Sequence, residues 1–294
     1  MDWNLDAAVT FVATHARVLE RRRLHVLLGD REAVPGVVAA LDNYRNADGG
    51  YGWALEPDLR SATSQPVAAM HALEVLADIG DLTSSRPVEI CDWLAAHTLP
   101  DGGVPFALPF ADTEGSAGHW TGADPSVSSV QMTSQLAAQA HRLARRRADV
   151  VAHPWLTTAT EHCLSALEDA GDLSPYELMF VLRFLDCAAA NDERAARLVG
   201  RLSALVASDA PTSVSGGAEG ESLHLIDFTP YRDAPSRERF PEADVARELA
   251  RVAAGQRADG GWTVDFAPVS PAAVLEWRGY VTVGNVAILC GMDR

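Results

Sequence analysis

The chain has 294 residues, of which 48% are hydrophobic and 22% charged, a composition that supports a substantial core and excludes a disordered one. Its formal net charge of -16 excludes non-specific nucleic-acid binding, which needs clustered Lys and Arg to displace counterions. No stretch reaches the roughly 20 apolar residues that span a bilayer. Met1-Asp2-Trp3-Asn4-Leu5-Asp6 lacks a basic region followed by an apolar run, so a cytoplasmic protein without signal peptide or transmembrane segment is expected.

Leu5, Val9, Val12, Ala16 and Leu19 fall at helical spacing and predict an amphipathic N-terminal helix. Arg21-Arg22-Arg23 interrupts it, either as a solvated face or as an anchor for an acidic partner or phosphate group. Val34 to Tyr44 reads as the next helix, and Ser64-Gln65-Pro66 starts another that runs to Ile79. Pro87 to His97 follows, then a long aromatic loop over about 100–125 that holds Phe106, Phe110, His119 and Trp120. Val127 to Arg146, Trp155 to Ala170, Pro175 to Ala190 and Asp192 to Ala207 are four more helices. Ser208 to Gly220 reads as a flexible loop, and Leu223 to Tyr231 as an extended aromatic segment. Pro241 to Gln256 and a final segment ending at Leu289 complete about ten or eleven helices, with no series of strands. Cys91, Cys163, Cys187 and Cys290 sit in apolar helical segments as buried free thiols. No Cys-x-x-Cys or His-x-x-x-His spacing suggests a metal site.

One turn recurs three times. Ala47-Asp48-Gly49-Gly50-Tyr51-Gly52-Trp53, Asp101-Gly102-Gly103-Val104-Pro105-Phe106 and Ala258-Asp259-Gly260-Gly261-Trp262-Thr263 each follow a helix and lead through a loop into another. The pattern resembles the repeats of the terpene cyclase and protein prenyltransferase superfamily, including squalene–hopene cyclases and prenyltransferase β subunits. Gln256-Arg257-Ala258-Asp259-Gly260-Gly261-Trp262 is the closest copy, and the first copy has Arg45 in the Gln position. The resemblance implies an all-α chain folded as one α/α toroid over 1–294. Its inner helices would be 64–79, 127–146, 175–190 and 275–289. One inner helix would be missing between Ala207 and Pro241, where a long, partly flexible loop (208–240) runs instead.

The resemblance also implies chemistry that this chain carries only in altered form. The Asp-x-Asp-Asp acid motif of squalene–hopene-type cyclases is absent. Glu168-Asp169-Ala170-Gly171-Asp172 superficially fits an Asp-Asp-x-x-Asp diphosphate motif, but Gly171 marks a helix end with solvated acids. No Asp, Cys and His set matches the prenyltransferase zinc site. No cofactor is required by the sequence, and magnesium enters only with a diphosphate.

Candidate acids are therefore sought just past the turns and between apolar residues. Asp58, Asp227 and Asp265 are the catalytic candidates: Asp58 follows the first turn, and the other two lie between large apolar side chains that would hold a carboxyl protonated. Each also has a plain reading. Asp58 or Glu56 could cap a helix or pair with Arg60, and alternation could turn Asp227 and Asp265 to solvent. His71 and Glu74 share a helix face, and Arg278 suits a substrate anion or a buried acid. Trp53, Glu56, Arg60, His71, His119, Trp120, Phe228, Tyr231, Trp277, Arg278 and Tyr280 form the expected substrate-binding set, with aromatic faces that would stabilise a carbocation. The expected function is binding of an apolar, isoprenoid-type substrate in an aromatic-lined cavity, with a non-standard acid. The alternatives are a non-catalytic scaffold on the same fold and a carbohydrate-active toroid with paired carboxylates about 5 to 9.5 Å apart.

Overall fold

The computed structural model describes residues 3–168 and 170–292. Asp169, and with it the acidic run at 168–172, lies outside the described residues as a complete motif. In chain order the helices are α1 (Leu5–His15), α2 (Val18–Leu27), α3 (Val34–Leu41), α4 (Pro66–Ile79), α5 (Arg86–Ala96), α6 (Gly118–Thr121), α7 (Val130–Ala144), α8 (Ala148–Val151), α9 (Pro154–Glu168), α10 (Pro175–Ala188), α11 (Glu193–Ser203), α12 (Leu225–Phe228), α13 (Glu242–Ala254) and α14 (Pro271–Leu289). The strands β1 (Thr212–Ser213) and β2 (Ser222–Leu223) pair antiparallel. The chain is thus all-α but for this one short hairpin among the described residues, and no described helix is long and apolar enough to cross a membrane.

Local chemistry sets the helix ends. Asn4, Ser129, Asp192 and Ser270 accept backbone N–H groups at the starts of α1, α7, α11 and α14, and Ser174 with Glu177 forms a reciprocal box at α10. Proline occupies the first turn of α3, α4, α5, α10 and α14, where its missing N–H costs nothing. Gly80, at φ 59°, ends α4 in the left-handed conformation.

The helices contact one another in a closed circuit. α2 touches α4, then α4–α7, α7–α10, α10–α12, α12–α13 and α13–α14 follow, and α14 returns to α2. α4 is buried on nearly every side, which marks it as a central element. The main apolar core spans α2 to α12, and a second cluster gathers α1, α2 and α14 around Phe11 and Trp262.

All three Asp-Gly-Gly turns have one geometry. The first glycine has positive φ: Gly49 91°, Gly102 88° and Gly260 94°. The aspartate accepts the N–H of the second glycine in every copy. It also ties to the next helix or its approach, through Ser64 at Asp48, Ser128 at Asp101 and Arg278 at Asp259. The second glycine lets a neighbouring helix come close. An added Cβ would meet Trp93 of α5 at Gly50, His162 of α9 at Gly103 and Phe11 of α1 at Gly261, each within 2.7 Å. So α1 covers the third turn as α5 and α9 cover the first two. Gln256 completes this closure: it accepts the Asn4 N–H at 2.7 Å and donates to the Asn4 carbonyl at 2.8 Å.

The structure departs from the sequence reading in three places. The N-terminal segment breaks at Ala16–Arg17, not at the arginine triplet, and Arg23 is 1% exposed instead of solvated. The 208–220 segment contributes one strand of the hairpin, and Leu223 to Tyr231 contains a helical turn in place of a fully extended run. Cys290 is exposed, whereas the other three thiols are buried.

Candidate functional site

A strained loop presents the first acids. Trp53 and Ala54 both hold left-handed backbone angles, φ 56° and 58°, which cost non-glycine residues on the order of 1–2 kcal/mol each. The Arg17 guanidinium fastens the loop by donating to the Ala54 and Leu55 carbonyls, and is itself held by Glu20. Glu56 and Asp58 follow at once, both buried.

Asp58 is 6% exposed and forms no ion pair among the described residues. Its Oδ1 accepts the Val269 N–H at 2.9 Å and its Oδ2 the Trp277 indole N–H at 2.7 Å. Burial lifts its pKa above the usual carboxylate range, against the lowering effect of those two hydrogen bonds. Trp277 packs edge-on to Phe266 and Tyr280, with ring centroids 5.2 and 5.4 Å away, and both Trp277 and Tyr280 lie edge-on to His71. An acid without a cation partner thus borders an aromatic cluster.

Beside it runs a buried chain of alternating charge. Glu56 Oε2 lies 2.8 Å from His71 Nε2, and His71 Nδ1 lies 3.6 Å from Glu74 Oε2. Glu74 accepts from Tyr280 at 2.9 Å and pairs with Arg23 at 3.2 Å. Arg23 continues to Asp78, which Arg142 meets at 2.6 Å, and Arg142 also donates to Gln139 at 2.5 Å. Burial works to lower the His71 pKa, but the hydrogen bonds to Glu56 and Glu74 and their charges outweigh it, raising the imidazole to about 9. With His71 protonated, three cations balance three carboxylates in this chain, and Asp58 is the additional acid.

The sequence-derived residues divide accordingly. Asp58, Glu56, His71, Trp277 and Tyr280 come together. Ala117 N–H donates to the Asp58 carbonyl, which docks the loop carrying His119 and Trp120. His119 is exposed, with burial lowering its pKa, and Trp120 is buried and stacked on Phe106 at 4.7 Å. Arg60 is not a partner of Asp58; it pairs with Glu276 at 2.8 Å. Arg278 serves the third turn through Asp259, and Trp53 is 54% exposed with its indole N–H on Asn46. Phe228 is core, and Tyr231 lies under the Arg142 guanidinium. Asp227 folds back onto the His224 N–H at 2.7 Å as a helix-start acceptor, while Arg183 binds its carbonyl. Asp265 is exposed.

Asp78 and Arg142 had no place in the sequence reading, and Arg23 entered it only as part of the arginine triplet. Their signal is a polar stripe on apolar helices: His71, Glu74 and Asp78 on α4, and Gln135, Gln139 and Arg142 on α7, at spacings of three and four. Two depressions occur elsewhere. One of about 70 Å³ lies at the C-terminal ends of α4 and α7, and an open one of about 500 Å³ lies beside the second turn and α9. Among the described residues no group of three or more His, Cys, Asp and Glu is placed to hold a metal ion.

No protein-family model matches the chain. No curated protein matches it. Among solved structures it is similar to the crystal structure of a protein from Actinoplanes, with a TM-score of 0.58, 13% identity and 97% of each chain covered. That likeness is one of fold alone.

Proposed function

We propose that the chain is an α/α toroid that binds an apolar, isoprenoid-type small molecule beside Trp277, Tyr280 and Phe266, with Asp58 as the acid in place of Asp-x-Asp-Asp. The closed circuit of helix contacts and the covering of the third turn by α1 support the toroid. The observation that carries the functional reading is Asp58 itself: a buried carboxyl, unpaired with any cation among the described residues, held by Trp277 and raised in pKa beside aromatic rings. In the proposed step Asp58 gives its proton to an alkene carbon. The π pair forms the new C–H bond, the adjacent carbon becomes cationic, and the cation ends by losing a proton to water. The ring faces would stabilise the cation. The 113–123 and 263–270 segments border Asp58, bonded to it through the Ala117 and Val269 N–H groups.

The test is incubation with linear polyprenyl substrates in deuterated water, followed by mass spectrometry. Wild type is expected to give product carrying one deuterium, and Asp58→Asn none. Unlabelled product, or equal labelling by both proteins, contradicts the assignment.

A non-catalytic scaffold is the second reading, favoured by the charged chain that fills the space between α2, α4, α7 and α14. It expects no turnover of any substrate and an Asp58→Asn protein that functions normally in the cell. The paired-carboxylate reading draws less support, because Glu56 is already engaged with His71.

A further inference from the structure

The far end of α4 from Asp58 holds a different arrangement. Between Ile79 at the end of α4, the Gly80–Leu82 turn and the end of α7 lies a cavity of about 70 Å³, lined by Asp78, Asp81, Arg142, Arg145, Arg146 and Arg147 among others. Its two carboxylates are already satisfied. Asp78 is held by Arg23 and Arg142. Asp81 accepts the Thr83 and Ser84 N–H groups and the Ser84 hydroxyl. Arg147 is likewise spent on Asp149 and on the Asp81 and Ser84 carbonyls.

Of the other guanidinium groups, Arg142 pairs with Asp78 and Arg145 lies within Coulombic reach of Asp186, while Arg146 and Arg31 have no carboxylate partner among the described residues. Arg142 is 6% exposed, and its Nε is buried without a hydrogen-bond partner although both Nη groups are used. Arg145 and Arg146 form no ion pair among the described residues, and neither does Arg31, which reaches the same place. A Cβ added at Gly80 would lie 3.1 Å from Arg146 Nη1 and 3.3 Å from Arg31 Nη2, so two guanidinium ends converge on one point. Like charges gathered without a counterion are unfavourable, and more so in a partly desolvated recess. In a chain of net charge -16 this local excess of arginine is against the trend.

We infer that this cavity binds a phosphate-type oxyanion, free or as the terminal group of a larger ligand. The volume exceeds the 10–15 Å³ that one water needs and falls far below the roughly 300 Å³ of a drug-sized pocket. Planar guanidinium forks around a small volume suit oxygens disposed on a tetrahedron. The inference does not depend on Asp58, which lies past the other end of α4; His71, the nearest site residue on that helix, is roughly 13 Å from Gly80 by helical rise.

The experiment is titration of the full chain with inorganic phosphate and with pyrophosphate, read by ³¹P line broadening and by melting temperature against sodium chloride of equal ionic strength. Saturable binding beyond the chloride effect is expected, weakened at least tenfold in the Arg145→Ala/Arg146→Ala protein and unchanged in Asp58→Asn. Both replaced arginines are exposed and unpaired, so the fold should tolerate their loss. Tighter pyrophosphate than phosphate identifies the end of a larger ligand, and equal affinity identifies the free ion. Phosphate acting no better than chloride, or binding equally to the double variant, overturns the inference and leaves a solvated arginine face.

Discussion

At His71 the stability of the protein should carry a pH signature. The folded imidazole titrates near 9 and the unfolded one near 6.5, so the folded state retains the proton longer. The stabilisation is fully present below pH 6.5 and is lost as pH rises through 9. Denaturant unfolding should show a loss on the order of 2–3 kcal/mol across that window, absent from His71→Gln. A flat wild-type profile would show that Glu56 and Glu74 do not hold the charge.

Asp186 offers a contrasting case at the same scale. Burial, opposed by hydrogen bonds from the Ser236 N–H and hydroxyl, lifts its pKa to about 6. Its ionisation therefore costs stability as pH rises from about 4 through 6. An asparagine can accept the Ser236 N–H and donate to its hydroxyl. Asp186→Asn is expected to melt higher than wild type at pH 7.5, with the difference gone by pH 4; an Asp186→Asn protein less stable at pH 7.5 would contradict this.

Among the elements, the three Asp-Gly-Gly turns were the most legible part of the sequence, because each is local and needs a glycine at positive φ. What each turn touches was not legible, since that depends on helices far along the chain. This difference is testable. Gly49→Ala meets only the Glu89 carbonyl at 3.7 Å and should cost about 1–2 kcal/mol from backbone strain. Gly260→Ala adds a clash with the Ala7 carbonyl at 2.2 Å and should cost clearly more, by chemical denaturation. Equal losses would mean that α1 does not seat on the third turn. The Trp53–Ala54 strain could not be read from the sequence at all, because neither residue favours φ near +57°. Ala54→Gly should raise stability by about 0.5–1 kcal/mol. No gain would mean that the left-handed backbone there is unstrained.

Across the whole molecule, the sequence located one side of the candidate site. Asp58, Glu56, His71, Trp277 and Tyr280 were recognised from their places after the turns and on two helices. The charged chain was not, because Arg23, Asp78 and Arg142 stand 55 and 64 residues apart and meet only when α2, α4 and α7 pack. Arg23 sits in a run of three arginines that mimics a solvated face. Asp227 and Asp265 part ways: burial does raise the Asp227 pKa, as its apolar neighbours suggested, although its carboxylate is engaged as a helix-start acceptor, whereas Asp265 is exposed. Alternating charges balance along the interior chain, and Asp58 lies outside that balance.

That acid is best interrogated directly, by carboxyl ¹³C NMR titration of wild type with Asp58→Asn to assign its signal. Asp58 is expected to titrate above the ordinary carboxylate value of about 3.9. A titration at or below that value would contradict its proposed role as the proton donor.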